Sequence, residues 1–141
     1  TYIRRNKINR EIMEVNNEQG KIAISRFSVR TIYDLGKNKK LSLVSCEIET
    51  GRTHQIRVHA KLIGSPILGD KLYKLKRKED FETEKFILSL CDDDKILRQM
   101  LHAHELSILH PESGKTLSFR ADLPSDFSYF LSKLSKYKTS F

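Results

Sequence analysis

The chain has 141 residues, 38% of them hydrophobic and 31% charged, with only six glycines and three prolines. That composition excludes a disordered or fibrous chain and leaves one globular domain with a modest core. A formal net charge of +8 favours an anionic partner, nucleic acid before a membrane surface, although a solvated basic surface fits the same charge.

The opening residues 1–10 are basic, through Arg4, Arg5, Lys7 and Arg10, and read as a loop or strand end. Asn16-Asn17-Glu18-Gln19-Gly20 is a turn cluster, so Ile12 to Val15 is expected to pair with Lys21 to Tyr33 as a hairpin. The second arm alternates, with Ala23, Phe27, Val29 and Tyr33 opposite Arg26, Ser28 and Arg30. After a turn at Asp34 to Asn38, a strand from Leu41 to Thr50 switches its apolar face from Leu41/Leu43 to Val44/Cys46/Ile48. Such a switch predicts a bulge or burial on both faces.

Thr50 to Lys78 carries eight Lys or Arg and a single acid, Asp70. Thr53 is positioned to cap a helix ending near Leu62, with Gly64 as its stop. At helical spacing His54, Arg57, Val58 and Lys61 share one face, and Ile56, His59, Ala60 and Ile63 another. Spacing alone fits either a solvated, salt-bridged surface or a donor-rich face toward an anionic partner.

Residues 74–99 alternate basic and acidic blocks and are expected as a charged insertion at the surface, with Phe86, Ile87, Leu88 and Leu90 anchoring a helical piece. A second hairpin is expected from Leu101 to His110 and Lys115 to Ala121. Ser125 then opens a helix whose Phe127, Phe130, Leu131 and Leu134 recur at helical spacing and dock it on the sheet. The sum is an α+β domain, with a mainly antiparallel sheet and flanking helices.

Several chemistries are disfavoured. No glycine lies in a phosphate-loop context. His54 and His59 are about 140° apart around a helix, too far to share a metal. His102 and His104 share a strand face without an evident third ligand. Cys46 and Cys91 form no C-x-x-C pair, which fits a reducing compartment rather than a disulfide or zinc site. No apolar run reaches the ~20 residues of a membrane span, so a cytoplasmic protein with no membrane partner and no metal is expected.

TGRTHQIRVHAKLIGSPILGDKLY, residues 50–73, closely resembles the signature of the RluA-like pseudouridine synthases that modify ribosomal and transfer RNA. Ile3-x-Arg5-Asn6, Asn9-Arg10-x-x-Met13, Gly20-Lys21-x-Ala23, Leu101-His102-Ala103 and His110-Pro111 follow the same family's order. The resemblance implies isomerisation of uridine to pseudouridine, started by an aspartate and needing no cofactor. It assigns Arg57 as the partner of that aspartate and Leu101 as packing against the target base. Arg52, His54 and Lys61 are implied to line the RNA groove or hold the motif's shape, and Gln55 and Lys71 to bind RNA.

The family's aspartate belongs to an H-R-L-D-x-x-T-S-G segment, which is absent from these 141 residues. The family's active-site tyrosine segment is absent as well. The chain is therefore expected to be the C-terminal portion of a single catalytic domain, inactive alone, whose partners are RNA and the missing N-terminal half. Rival expectations are a non-catalytic RNA-binding module and a ribosome-associated interaction protein.

Overall fold

Residues 1–75, 77–91 and 98–139 are described by a computed structural model. The first three strands, β1 (Tyr2–Arg5), β2 (Met13–Asn16) and β3 (Lys21–Ile22), form one antiparallel sheet in the order β2-β1-β3. This corrects the expected hairpin of Ile12 to Val15 with Lys21 to Tyr33, because β1 lies between its two arms. Two local causes set that order. Asn6 Oδ1 accepts the N–H groups of Ile8 and Asn9 at 2.9 and 2.7 Å, turning the chain after β1 so that β2 returns beside it. Gly20, at φ 134°, then lies so close to β1 that a Cβ there would stand 2.6 Å from the Ile3 carbonyl oxygen. Only glycine lets the chain cross to the far edge of β1.

β4 (Ser25–Asp34) and β5 (Lys40–Ile48) form a long antiparallel hairpin. Its turn places Gly36, Lys37 and Asn38 successively at positive φ, and Asp34 Oδ1 accepts the Gly36 N–H at 2.9 Å. The expected irregularity is present, but in the partner strand: the register shifts between Val29 and Thr31, opposite the Leu43–Val44 switch. The shift turns Tyr33, Leu41 and Leu43 toward the principal core cluster of Leu35, Ile87, Cys91, Phe130 and Leu134.

Helix α1 (Gln55–Leu62) follows the hairpin, and α2 (Lys78–Leu90) rises from the charged segment. The charge pattern understates how deeply α2 is held. Ile87 is wholly buried in the principal cluster, with Phe86 and Leu90 packed beside it. Burial of a side chain of this size contributes about 2 kcal/mol. Residues 92–97 of the expected acidic block lie outside the described residues.

β6 (Glu105–Leu109) and β7 (Thr116–Arg120) form the second expected hairpin, and α3 (Ser125–Leu134) docks through Phe127, Phe130 and Leu134. Pro124, not Ser125, takes the cap position of α3. Asp126 in its first turn binds Arg98 bidentately at 2.8 and 2.9 Å, and Arg98 Nη1 reaches the Leu101 carbonyl at 3.1 Å. Every residue of β6 and β7 is exposed, and Leu106, Ile108, Leu117 and Phe119 share one uncovered face.

No described helix is long and apolar enough to cross a membrane. Between β4–β5 and the helices lies a cavity of about 930 Å³, lined among others by Val44, Cys46, Ile56, Ala60, Phe127 and Leu101.

Candidate nucleic-acid interface

Gln55 organises the approach to α1. Its Oε1 accepts the Thr50 hydroxyl at 2.8 Å and the Arg52 N–H at 3.0 Å. Its Nε2 donates to the Ile24 carbonyl and the Ser25 hydroxyl, both at 2.9 Å. The side chain is buried with both donors and both acceptor positions used inside the chain. The expectation that Gln55 contacts RNA is therefore corrected: it fastens the signature loop to β4. Arg52 shares that duty through Nε, which donates to the Ile22 carbonyl at 2.9 Å.

The expected Thr53 cap is also replaced. His54 occupies the cap position in the left-handed region, φ 55° and ψ 20°, with no side-chain cap bond. A histidine held there stores strain of order 1 kcal/mol, which the surrounding bonds must offset. Those bonds run through Tyr73. Its hydroxyl accepts the Met13 N–H at 2.8 Å and lies 2.9 Å from His54 Nδ1, with the two rings edge to face.

Arg57 lies one turn further along α1. Its Nε and Nη2 grip Asp70 Oδ2 and Oδ1 at 2.7 and 2.8 Å, and its guanidinium carbon stands 4.8 Å from the Tyr73 ring centre. The pair is well shielded, with side-chain exposures of 12% for Arg57 and 0% for Asp70. Asp70 sits in a turn that Gly69 permits at φ 75°, and Oδ1 also accepts the N–H groups of Leu72 and Tyr73 at 3.0 and 3.1 Å. Burial pushes this carboxyl up, but the Arg57 bonds and the two backbone donors outweigh it and hold it below its ordinary value. The same pairing raises Arg57. Nη1 of Arg57 makes no hydrogen bond among the described residues, and no buried side-chain nitrogen or oxygen among them lacks a partner. Nη1 is therefore not sealed inside the protein and keeps its donors free.

The remaining expected residues divide by position. His54, Arg57 and Tyr73 are brought together, while Lys71 is exposed and Lys61 half-buried at the end of α1. Leu101 is half-buried and lines the cavity that Asp70 also borders. His59, counted with the apolar flank, bridges the Thr1 hydroxyl at 2.7 Å and the Ser25 hydroxyl at 3.0 Å and so ties β4 and the residue preceding β1 to α1. Burial lowers its pKa. His104 is engaged by the Ala121 carbonyl and Arg120, and no group of three metal-ligating side chains occurs among the described residues.

Sequence reasoning passed over Asp70 and Tyr73. Asp70 was legible as the single acid in a strongly basic stretch, a pattern that signals pairing, and Tyr73 follows it by three residues. With its carboxylate wholly enclosed, this cluster presents donors and no nucleophile. Donors of this kind are suited to an electron-rich group.

A family model described as RNA pseudouridylate synthase matches residues 1–62. The ribosomal large subunit pseudouridine synthase D of Neisseria meningitidis serogroup A is 40% identical over 134 residues, 95% of this chain and 33% of the relative. The protein of the same name from Zymomonas mobilis is 37% identical over 131 residues, 92% of this chain and 38% of the relative. An uncharacterized RNA pseudouridine synthase of Bacillus subtilis, YlyB, is 37% identical over 134 residues, 95% of this chain and 37% of the relative. The chain thus spans little more than a third of the length of the curated relatives it matches.

Proposed function

We propose that this chain, which belongs to the RluA-like RNA pseudouridine synthase family, supplies the arginine-bearing, RNA-holding part of a catalytic domain that isomerises uridine in ribosomal or transfer RNA. In this reaction the glycosidic bond is cut, the uracil turns, and it rejoins through carbon. The observation that carries the reading is the Arg57–Asp70 pair. Asp70 fixes the guanidinium through Nε and Nη2, leaving Nη1 to meet a second carboxylate or an RNA oxygen. Asp70 itself is enclosed and saturated, so a catalytic aspartate has to come from another segment, in the family from H-R-L-D. Leu101, beside the same cavity, serves as the wall against the target base.

The partner implied is the rest of the catalytic domain. The uncovered face of Leu106, Ile108, Leu117 and Phe119, with Val29, Val44 and Ile48 also exposed, suits packing against such a partner. Two-stranded hairpins are marginal in water until one face is covered.

The test compares residues 1–141 alone with the same residues joined to an upstream segment carrying His-Arg-Leu-Asp, each incubated with uridine-containing ribosomal RNA. No pseudouridine from the first and turnover by the second is the expected result. Turnover by residues 1–141 alone would sink the assignment of the aspartate to another segment. RNA binding without turnover by the joined protein would favour a non-catalytic RNA-binding module.

A further inference from the structure

The hydrogen-bond inventory around Tyr73 fixes the protonation of His54. A backbone N–H can only donate, so the Tyr73 oxygen accepts from Met13 at 2.8 Å. The phenolic proton must then go elsewhere, and Tyr73 is 1% exposed, so water does not receive it. His54 Nδ1, at 2.9 Å, is the acceptor in reach. Nδ1 is therefore unprotonated and the ring proton sits on Nε2. Nε2 makes no hydrogen bond among the described residues, and none of their buried side-chain nitrogens lacks a partner. The Nε2–H is therefore not sealed inside the protein and is open to a ligand from outside.

We infer that His54 is a neutral, tautomer-locked hydrogen-bond donor whose Nε2–H binds a phosphodiester oxygen of the RNA beside the free nitrogen of Arg57. The inference rests on the RNA reading above. The left-handed backbone supports it, since a strained histidine at φ 55° is costlier than asparagine or glycine would be. A phosphate oxygen is the fitting ligand because the chain's net charge of +8 already attracts an anion, and a neutral donor adds a directed bond without adding charge. His54 therefore contributes affinity that salt does not screen, whereas Arg57 contributes affinity that it does.

The variants His54→Asn and His54→Gln separate a structural role from this one. Asn tolerates the left-handed backbone and its amide sits where Nδ1 sits, so it preserves the Tyr73 contact and loses the outer donor. Gln extends an N–H to the Nε2 position. RNA affinity of the intact protein is measured by fluorescence anisotropy across a salt series, with thermal melts of each variant as the fold control. His54→Asn is expected to bind about tenfold more weakly, with an unchanged slope of log affinity against log salt, and His54→Gln to recover most of the loss. Long-range proton–nitrogen spectra should show Nδ1 bare and Nε2 protonated. Affinity of His54→Asn equal to that of wild type, equal losses in both variants, or a protonated Nδ1 would overturn the inference. Failure of the wild-type protein to bind RNA would overturn the RNA reading and this inference with it.

Discussion

Replacing Asp70 by Asn tests whether the Arg57–Asp70 pair holds the interface together. Asn keeps one oxygen for the Leu72 and Tyr73 N–H groups, but sets an NH2 against Arg57 Nε, where the carboxylate accepted at 2.7 Å. Donor then faces donor, and a guanidinium only 12% exposed is left without its counter-charge. Breaking a buried pair in this way costs about 3 to 5 kcal/mol. The free nitrogen of Arg57 can still be hydrated, which places the loss near ~3 kcal/mol. For a chain of this length that lowers the melting temperature by about 10 °C. The pair's contribution should also depend on acid. The folded carboxyl titrates below its ordinary value of 3.8, so the stabilisation is complete above that value and is lost as pH falls through the folded one. The gap between wild type and Asp70→Asn in urea melts should therefore be constant near neutrality and close in strong acid. A variant melting within about 2 °C of wild type would refute the claim that the pair is buried and coupled.

Three further outcomes follow from the same geometry. Gln55→Leu strands the Thr50, Arg52, Ile24 and Ser25 partners and should cost about 2 to 3 kcal/mol in urea unfolding, with α1 loosening first in hydrogen exchange. Gly20→Ala sets a Cβ against the Ile3 backbone at 2.6 Å and should destabilise by about 2 kcal/mol or more, read as a lowered melting temperature. Burial, with Arg57 adding to it at His54, lowers both His54 and His59 below 6.5. The unfolded chain therefore takes up protons that the folded chain refuses. Stability is full above that value and declines as pH falls through it, so the urea midpoint should drop between about pH 7.5 and about 5.5. A midpoint that stays level or rises on acidification would contradict the burial of both rings.

Much of the architecture was legible from local pattern. Turn chemistry marked Asp34 to Asn38 and Pro111 to Gly114, and the helical spacing of Phe127, Phe130 and Leu134 marked α3 and its buried face. Strand order was not legible, because it turns on one close approach, Gly20 against Ile3, which no periodicity records. Thr53 failed as a cap because the chain takes a left-handed step at His54, which puts His54 in the cap position one residue later. At the site, the basic face could be read from composition, whereas its organisation came from contacts between distant residues. Tyr73 joins Met13 to His54, and Asp70 closes on Arg57 from beyond the end of α1. Such closures pair residues far apart in sequence, and residue type alone does not say which will meet.

The cavity beside α1 gives that helix an unusual mechanical position. Ile56 and Ala60 border a void of about 930 Å³, while Arg57, between them in sequence, carries the charged grip. The helix that carries the Arg57–Asp70 grip thus meets open volume, not packed side chains, along part of its apolar flank. A larger apolar side chain at Ile56 should therefore be accommodated at less cost than at a packed position such as Ile87, read as a melting temperature close to that of wild type.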